Sequence, residues 1–176
     1  MAPKALCKAG AGAYFAPMLA NLPRPLLRLF HHAAHLWFRV ARPLTMGVRA
    51  VVLDEGGRVF LVRHSYLRGW HLPGGGVEVG ETAAEALARE LREEGNIELI
   101  GAPVLQGVHL NTFVTRRDHV LVYVVRAFRQ TEARGADREI VETGFFPVDN
   151  LPEATARGSR ARIEEVLSGA PASALW

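Results

Sequence analysis

The strongest constraint in the chain is a glycine run that feeds a glutamate-rich helix. Gly74-Gly75-Gly76-Val77-Glu78-Val79-Gly80-Glu81 is followed directly by TAAEALARELREEGNI, Thr82 to Ile97. Thr82 is a favourable N-cap, and Glu85 three residues later completes a capping box, so the helix start is well specified. Ala84, Leu87, Ala88 and Leu91 recur at i, i+3, i+4 and i+7, which predicts the core-facing stripe. Glu90, Glu93 and Glu94 share a second face, expected a quarter turn or more from that stripe, at the edge of a cleft. Glu90 and Glu94 are like charges one turn apart, worth about 0.2–0.5 kcal/mol of repulsion in water. Crowded carboxylates raise one another's pKa unless a cation holds them ionised. Mg²⁺ suits that task, because it prefers carboxylate oxygen and shares its shell with water and substrate phosphates. The ordinary alternative is a solvated acidic face, partly neutralised by Arg89 and Arg92.

Spacing decides between the two. Gly75, five residues, Glu81, seven residues, then Arg89-Glu90-Leu91-Arg92-Glu93-Glu94 and Ile97 resembles the Nudix hydrolase signature, G-x5-E-x7-R-E-U-x-E-E-x-G-U with U aliphatic. One position departs: Asn96 stands where the signature has its final glycine, with Gly95 in the variable slot before it. That position ends the helix in the left-handed region, where Asn is the best replacement for Gly. No acidic position is altered.

The resemblance implies an α/β/α sandwich with a mixed sheet. It also implies an enzyme that cleaves a nucleoside diphosphate linked to another moiety, ADP-ribose or a related nucleotide, by water attack on phosphorus with Mg²⁺ or Mn²⁺. By position in the motif, Glu90, Glu93 and Glu94 are the implied metal ligands, and one glutamate is the general base, which the motif does not identify. Arg89 is implied to orient Glu81 through a charge-assisted bond. The glycines let the main chain approach metal and diphosphate, and a Gly75 carbonyl is a further implied ligand. A late-loop acid often completes such sites; Glu139 and Glu142 are the candidates, with a plain surface role as the alternative. Two other readings stay open on the same fold: a catalytically silent nucleotide-sensing or interaction module, and a diphosphate isomerase.

Charge agrees with an anionic substrate. From Glu78 to Glu98 there are seven Glu and two Arg, a local −5, which leaves +8 on the remainder of a chain whose net charge is +3. An acidic strip in a basic body suits a phosphate-rich anion bridged to protein by a cation. No nucleic-acid-binding module is recognisable, so no specific nucleic acid is expected as a partner. A single cysteine, Cys7, excludes an internal disulfide framework and fits a reducing compartment such as the cytoplasm.

Three segments are expected: a disordered tail over 1–22, a basic amphipathic helix over 23–42, and the catalytic domain over 43–170. The tail is interrupted by Pro17 and Asn21 and is too short to span a bilayer. The amphipathic helix is read as packing on the domain or on a second copy of the chain, in preference to a membrane surface. Within the domain, Met46 to Asp54 and Arg58 to His64 are expected as partner strands around Glu55-Gly56-Gly57. Strands are also expected over Ile97 to Gly101, Val104 to Phe113, His119 to Phe128 and Glu142 to Pro147, with a closing helix over Ser159 to Leu167. For the substrate, Arg63, His64, Tyr66, Arg68 and Trp70 cluster before the glycines, offering charge for phosphates and rings for a base. His109, Asn111, Arg116, Arg117 and His119 form a second polar cluster around a hairpin. Packing or surface roles are the alternative for each.

Overall fold

Strand β1 (Thr45–Val52) is the element on which the domain is assembled. Its residues alternate between two cores: Val48, Ala50 and Val52 enter one, Val51 and the adjoining Leu53 the other. A strand buried on both faces reads as a nearly continuous apolar run, which is what AVVL displays. The computed structural model describes residues 43–113 and 115–176, together with Pro23, Pro25, His32, Ala33, Trp37 and Ala41. His32, Ala33, Trp37 and Ala41 are helical. The tail expected over 1–22 and the rest of the amphipathic helix lie outside the described residues.

The order along the chain is β1, β2 (Arg58–His64), α1 (Ala83–Gly95), β3 (Ile97–Leu99), β4 (Val104–Leu110), β5 (Asp118–Val125), β6 (Phe128–Gln130), β7 (Ile140–Pro147) and α2 (Arg157–Ser168). β1 runs parallel to β5, and β5 is antiparallel to β4, so the sheet is mixed. β2 pairs antiparallel with β7, and the short β3 with β6. The expected β1–β2 ladder does not form. Only Leu53 and Val59 meet across the turn, because each strand finds a longer partner elsewhere. β5 ends at Val125, earlier than expected, and Phe128–Gln130 departs to pair with β3.

One helix covers each core. Ala86, Leu87 and Leu91 of α1 pack on Val48, Phe60 and Val62, while Ile163 of α2 packs in the core that holds Val51, Leu61 and Trp70. The capping box is formed: Thr82 Oγ1 accepts from the Glu85 N–H at 3.2 Å, and Glu85 Oε2 accepts from the Thr82 N–H at 2.8 Å. Asn96 closes the helix at φ 51°, ψ 33°. The buried stripe differs from the expected one. Ala84 is exposed, Ala86 takes its place, and Glu94 lies inside the stripe rather than beside it. At 100° per residue, Glu94 lies only about 20° from Leu87, so a stripe through Leu87 and Leu91 carries it inward. Among the described residues no helix is long and apolar enough to cross a membrane.

Candidate active site

The glycine run is held as an extra strand on the edge of β1 opposite β5. The Val48 and Ala50 N–H groups donate to the carbonyls of Gly75 and Pro73, each at 2.9 Å, and the Val77 N–H donates to Met46 at 2.9 Å. Gly74 sits at φ 134°, and a Cβ there would lie 2.1 Å from the Val48 carbonyl oxygen, so only glycine fits. Gly75 has a different reason to be bare: a Cβ would lie 2.3 Å from Glu90 Oε1. The absent side chain is the cradle for that carboxylate.

The acids of α1 therefore converge on this turn, unequally. Glu94 is buried at 7 % exposure and accepts the Gly74 N–H at 2.7 Å, with His64 Nε2 at 3.4 Å. Burial pushes its pKa up to about 7; the Gly74 bond and Arg49 oppose the rise, and Glu90 and Glu139 add to it. Glu90 is bonded by Arg89 at 2.7 Å. Glu93 is the most exposed of the three, 3.4 Å from the same guanidinium. Arg89 is the hub: it forks onto Glu81 at 3.0 and 3.2 Å and donates to the Gly76 carbonyl at 3.0 Å. The arginine's bond, helped by the Glu78 N–H, holds the Glu81 carboxyl below its ordinary range. Glu139 reaches the site from the loop before β7, where its Oε1 accepts from Tyr66 at 3.1 Å.

As arranged, no three acids or histidines among the described residues stand close enough to enclose an ion. Arg89 gathers Glu81, Glu90 and Glu93 on one guanidinium, while the Gly74 N–H holds Glu94 separately. The donor chemistry nevertheless fits a hard divalent cation: flexible glutamates from one helix, a buried carboxyl raised toward neutrality, and a second acid facing it. The Gly75 carbonyl, expected as a ligand, already accepts from Val48 and retains one lone pair.

The expected substrate residues divide. His64 belongs to the site, but as a buried ring beside Glu94 and 5.2 Å from Tyr66, not as a surface contact. Burial, followed by the nearby Arg49 and His71, lowers its pKa. Tyr66 is exposed, with its hydroxyl on Glu139. Arg63 pairs with Glu142 at 2.6 Å across β2 and β7, which commits both to the sheet surface. Arg68 and Arg117 have exposed side chains. Trp70 and His109 require correction. Trp70 is buried edge-on to Phe146 at 4.7 Å in the core under α2, so its ring is closed to a base. His109 is fully buried and bonded to Arg162 at 2.7 Å. A ring two residues from an arginine, as Trp70 is from Arg68, looks alike in sequence whether it points in or out.

A cleft of about 350 Å³ opens beside the turn, lined by Arg49, Met46, Gly75, Gly76, Asn111 and Trp176 among others. Arg49 went unrecognised in the sequence because it stands in an apolar strand. Its guanidinium donates to the carbonyls of Leu72 and Gly74, which ties β1 to the turn.

The NUDIX domain profile matches residues 43–166. The chain belongs to the Nudix hydrolase family. A MutT-like protein of Streptomyces ambofaciens is 33% identical over 129 residues, covering 72% of this chain and 79% of that one. An RNA pyrophosphohydrolase of Xanthomonas campestris is 43% identical over 60 residues, which are 31% of this chain and 29% of its own length. Among solved structures, a MutT Nudix hydrolase from Burkholderia pseudomallei superposes with a TM-score of 0.60 at 28% identity, covering 69% of this chain and 97% of that one. An ADP-ribose pyrophosphatase from Streptococcus suis, at 22% identity and a TM-score of 0.53, shares the fold over 70% of this chain and 91% of its own. Nudix hydrolases generally use divalent metal ions such as Mg²⁺.

Proposed function

We propose that this Nudix hydrolase cleaves a diphosphate linkage in a nucleoside diphosphate joined to a second group, ADP-ribose-like or a related nucleotide, with Mg²⁺ or Mn²⁺ held by Glu90, Glu93 and Glu94. The observation that carries the reading is the approach of two helix carboxylates to the glycine turn: Glu94 is buried and accepts the Gly74 N–H at 2.7 Å, and Glu90 occupies the space that a side chain on Gly75 would fill. Carboxylates crowded in this way are held ionised by a cation. Among relatives, the names pyrophosphohydrolase and pyrophosphatase share cleavage of a phosphoric anhydride.

Each residue then has a task. Glu90, Glu93 and Glu94 would hold the ion, with Glu139 and the Gly75 carbonyl available to complete its shell. The chemistry such an ion supplies when bound is neutralisation of diphosphate charge and acidification of water. Arg89 positions Glu90 and, through Glu81, fixes the loop from Glu78 to Glu81. A water oxygen attacks phosphorus, the bridging P–O bond breaks, and a glutamate carboxylate accepts the water's proton. His64, buried 3.4 Å from Glu94, positions that carboxylate. The proposed substrate is a small nucleotide, and the lone cysteine, Cys7, supports a reducing compartment such as the cytoplasm.

The test is a panel of ADP-ribose, nucleotide sugars, dinucleoside polyphosphates and nucleoside triphosphates, assayed for phosphate or nucleoside monophosphate release with Mg²⁺ and Mn²⁺. Glu93→Gln is expected to lower the rate roughly a hundredfold or more while circular dichroism stays unchanged. Full activity in that variant, or rearrangement without release, would rule the mechanism out.

A further inference from the structure

The segment after α2 forms a buried polar network that the chemistry at the glutamates does not use. Residues 170–176 return along β4: the Leu110 N–H donates to the Ala174 carbonyl at 2.9 Å, and the Trp176 N–H donates to the Leu110 carbonyl at 3.1 Å. Beneath them Arg162 is 4 % exposed. One of its nitrogens donates to His109 Nδ1 at 2.7 Å and to the Leu175 carbonyl at 2.9 Å, and another to Glu165 at 2.7 Å. Glu165 in turn accepts the Ser173 N–H at 3.3 Å. Arginine only donates, so His109 Nδ1 accepts and the ring is neutral.

Two glycines make room for this segment. A Cβ on Gly107 in β4 would lie 2.4 Å from the Ala172 side chain. A Cβ on Gly158, in the first turn of α2, would lie 2.3 Å from the Trp176 indole nitrogen. Glycine inside a helix costs about 1 kcal/mol relative to alanine. Here the indole occupies the space an alanine methyl would take. The ring also packs 5.7 Å from the Arg162 guanidinium and 6.0 Å from His109. The result is a half-buried aromatic in the wall of the cleft that opens onto Gly75 and Gly76.

We propose that Trp176 forms the nucleoside subsite, its indole stacking on the base of a substrate whose diphosphate lies at the glycine turn, and that Gly158 and Arg162 position it there. The cleft, about 350 Å³, is of small-molecule size. It also contains Arg49, which makes no ion pair among the described residues and so offers charge to a phosphate. Indole stacking is tolerant of base identity, which marks a nucleotide as the substrate class without singling out one base. The identity of the substrate rests on the hydrolytic reading above; the subsite itself rests on the seat and the cleft.

The experiment compares Trp176→Ala, Trp176→Phe and Gly158→Ala in the full chain, by steady-state kinetics on the best nucleotide of the panel and by calorimetric titration with ADP in EDTA. Trp176→Ala is expected to raise KM about tenfold or more with kcat within about twofold, and to weaken ADP binding similarly. Trp176→Phe should recover much of the loss. Gly158→Ala should reproduce it by displacing the indole while residue 176 stays tryptophan, although alanine favours the helix. A purely structural tail would change the melting temperature and leave KM and ADP affinity alone; that result, or no ADP binding by the unaltered protein, overturns the subsite. Should Trp176→Ala unfold, Gly158→Ala and Trp176→Phe decide by the same criteria. Weakened ADP binding in a protein that hydrolyses nothing would keep the subsite and remove the hydrolytic reading. Hydrolysis indifferent to all three variants would do the reverse.

Discussion

Replacing Glu94 by glutamine separates stability from catalysis. Burial, at 7 % exposure, pushes the pKa of this carboxyl up to about 7 from an ordinary 4.5. At about 1.36 kcal/mol per pH unit, the ionised form costs the fold roughly 3 kcal/mol. The sign follows from linkage: the folded carboxyl binds its proton more tightly than the unfolded one, so stability falls as pH rises from 4.5 through about 7. Glutamine has the same shape, still accepts the Gly74 N–H, and never ionises. Glu94→Gln in EDTA is therefore expected to be more stable than the parent by about 2–3 kcal/mol at pH 7.5, with the difference vanishing near pH 4. Because only the difference is read, titrating groups remote from Glu94 cancel. Excess Mg²⁺ should raise the parent and leave the variant nearly unmoved, while its hydrolytic rate falls roughly a hundredfold. Urea unfolding at half-unit pH steps, with and without Mg²⁺, gives all of these values. A variant less stable than the parent across the whole EDTA series would refute the idea of a strained carboxyl awaiting a cation.

Further outcomes follow from the same geometry. Gly75→Ala drives a methyl against Glu90 Oε1, the end of a flexible side chain, so activity should drop about tenfold or more with little change in melting temperature. Gly74→Ala meets the Val48 backbone at positive φ and should instead unfold the domain by about 2 kcal/mol or more; urea titration distinguishes the two. His109 has its pKa lowered, chiefly by burial and then by Arg162, so it must gain a proton on unfolding in acid. Its contribution is complete above the unfolded value of 6.5 and is lost as pH falls toward the folded one. The slope of stability against pH below 6.5 should flatten in His109→Gln, whose carbonyl can still accept from Arg162.

The local rules were legible in the residues. Thr82 with Glu85 announced the helix start, Asn96 its left-handed end, and the spacing from Gly75 to Ile97 the family. Strand pairing was not legible, because β1 and β2 are adjacent in sequence yet partner β5 and β7 through hydrogen bonds that leave no trace in composition. Trp70 misled because an apolar ring beside cations suits either a core or a base-binding surface. The inward turn of Glu94 was predictable from its angle to Leu87, yet a charged residue on a core stripe goes against the usual burial preference. Arg49 and Trp176 carry no motif. Each lies in the cleft only because β1 and the segment after α2 meet there in space.

The strand-like stitching of the glycine run to β1 bears on how such a centre could be transplanted. The 23-residue signature does not supply its own register; that comes from the Val48 and Ala50 amides and from the side chain of Arg49. A designer who grafts the loop and helix alone would obtain acids without an anvil. Carrying residues 46–50 along with them would bring the template that decides where each glutamate points.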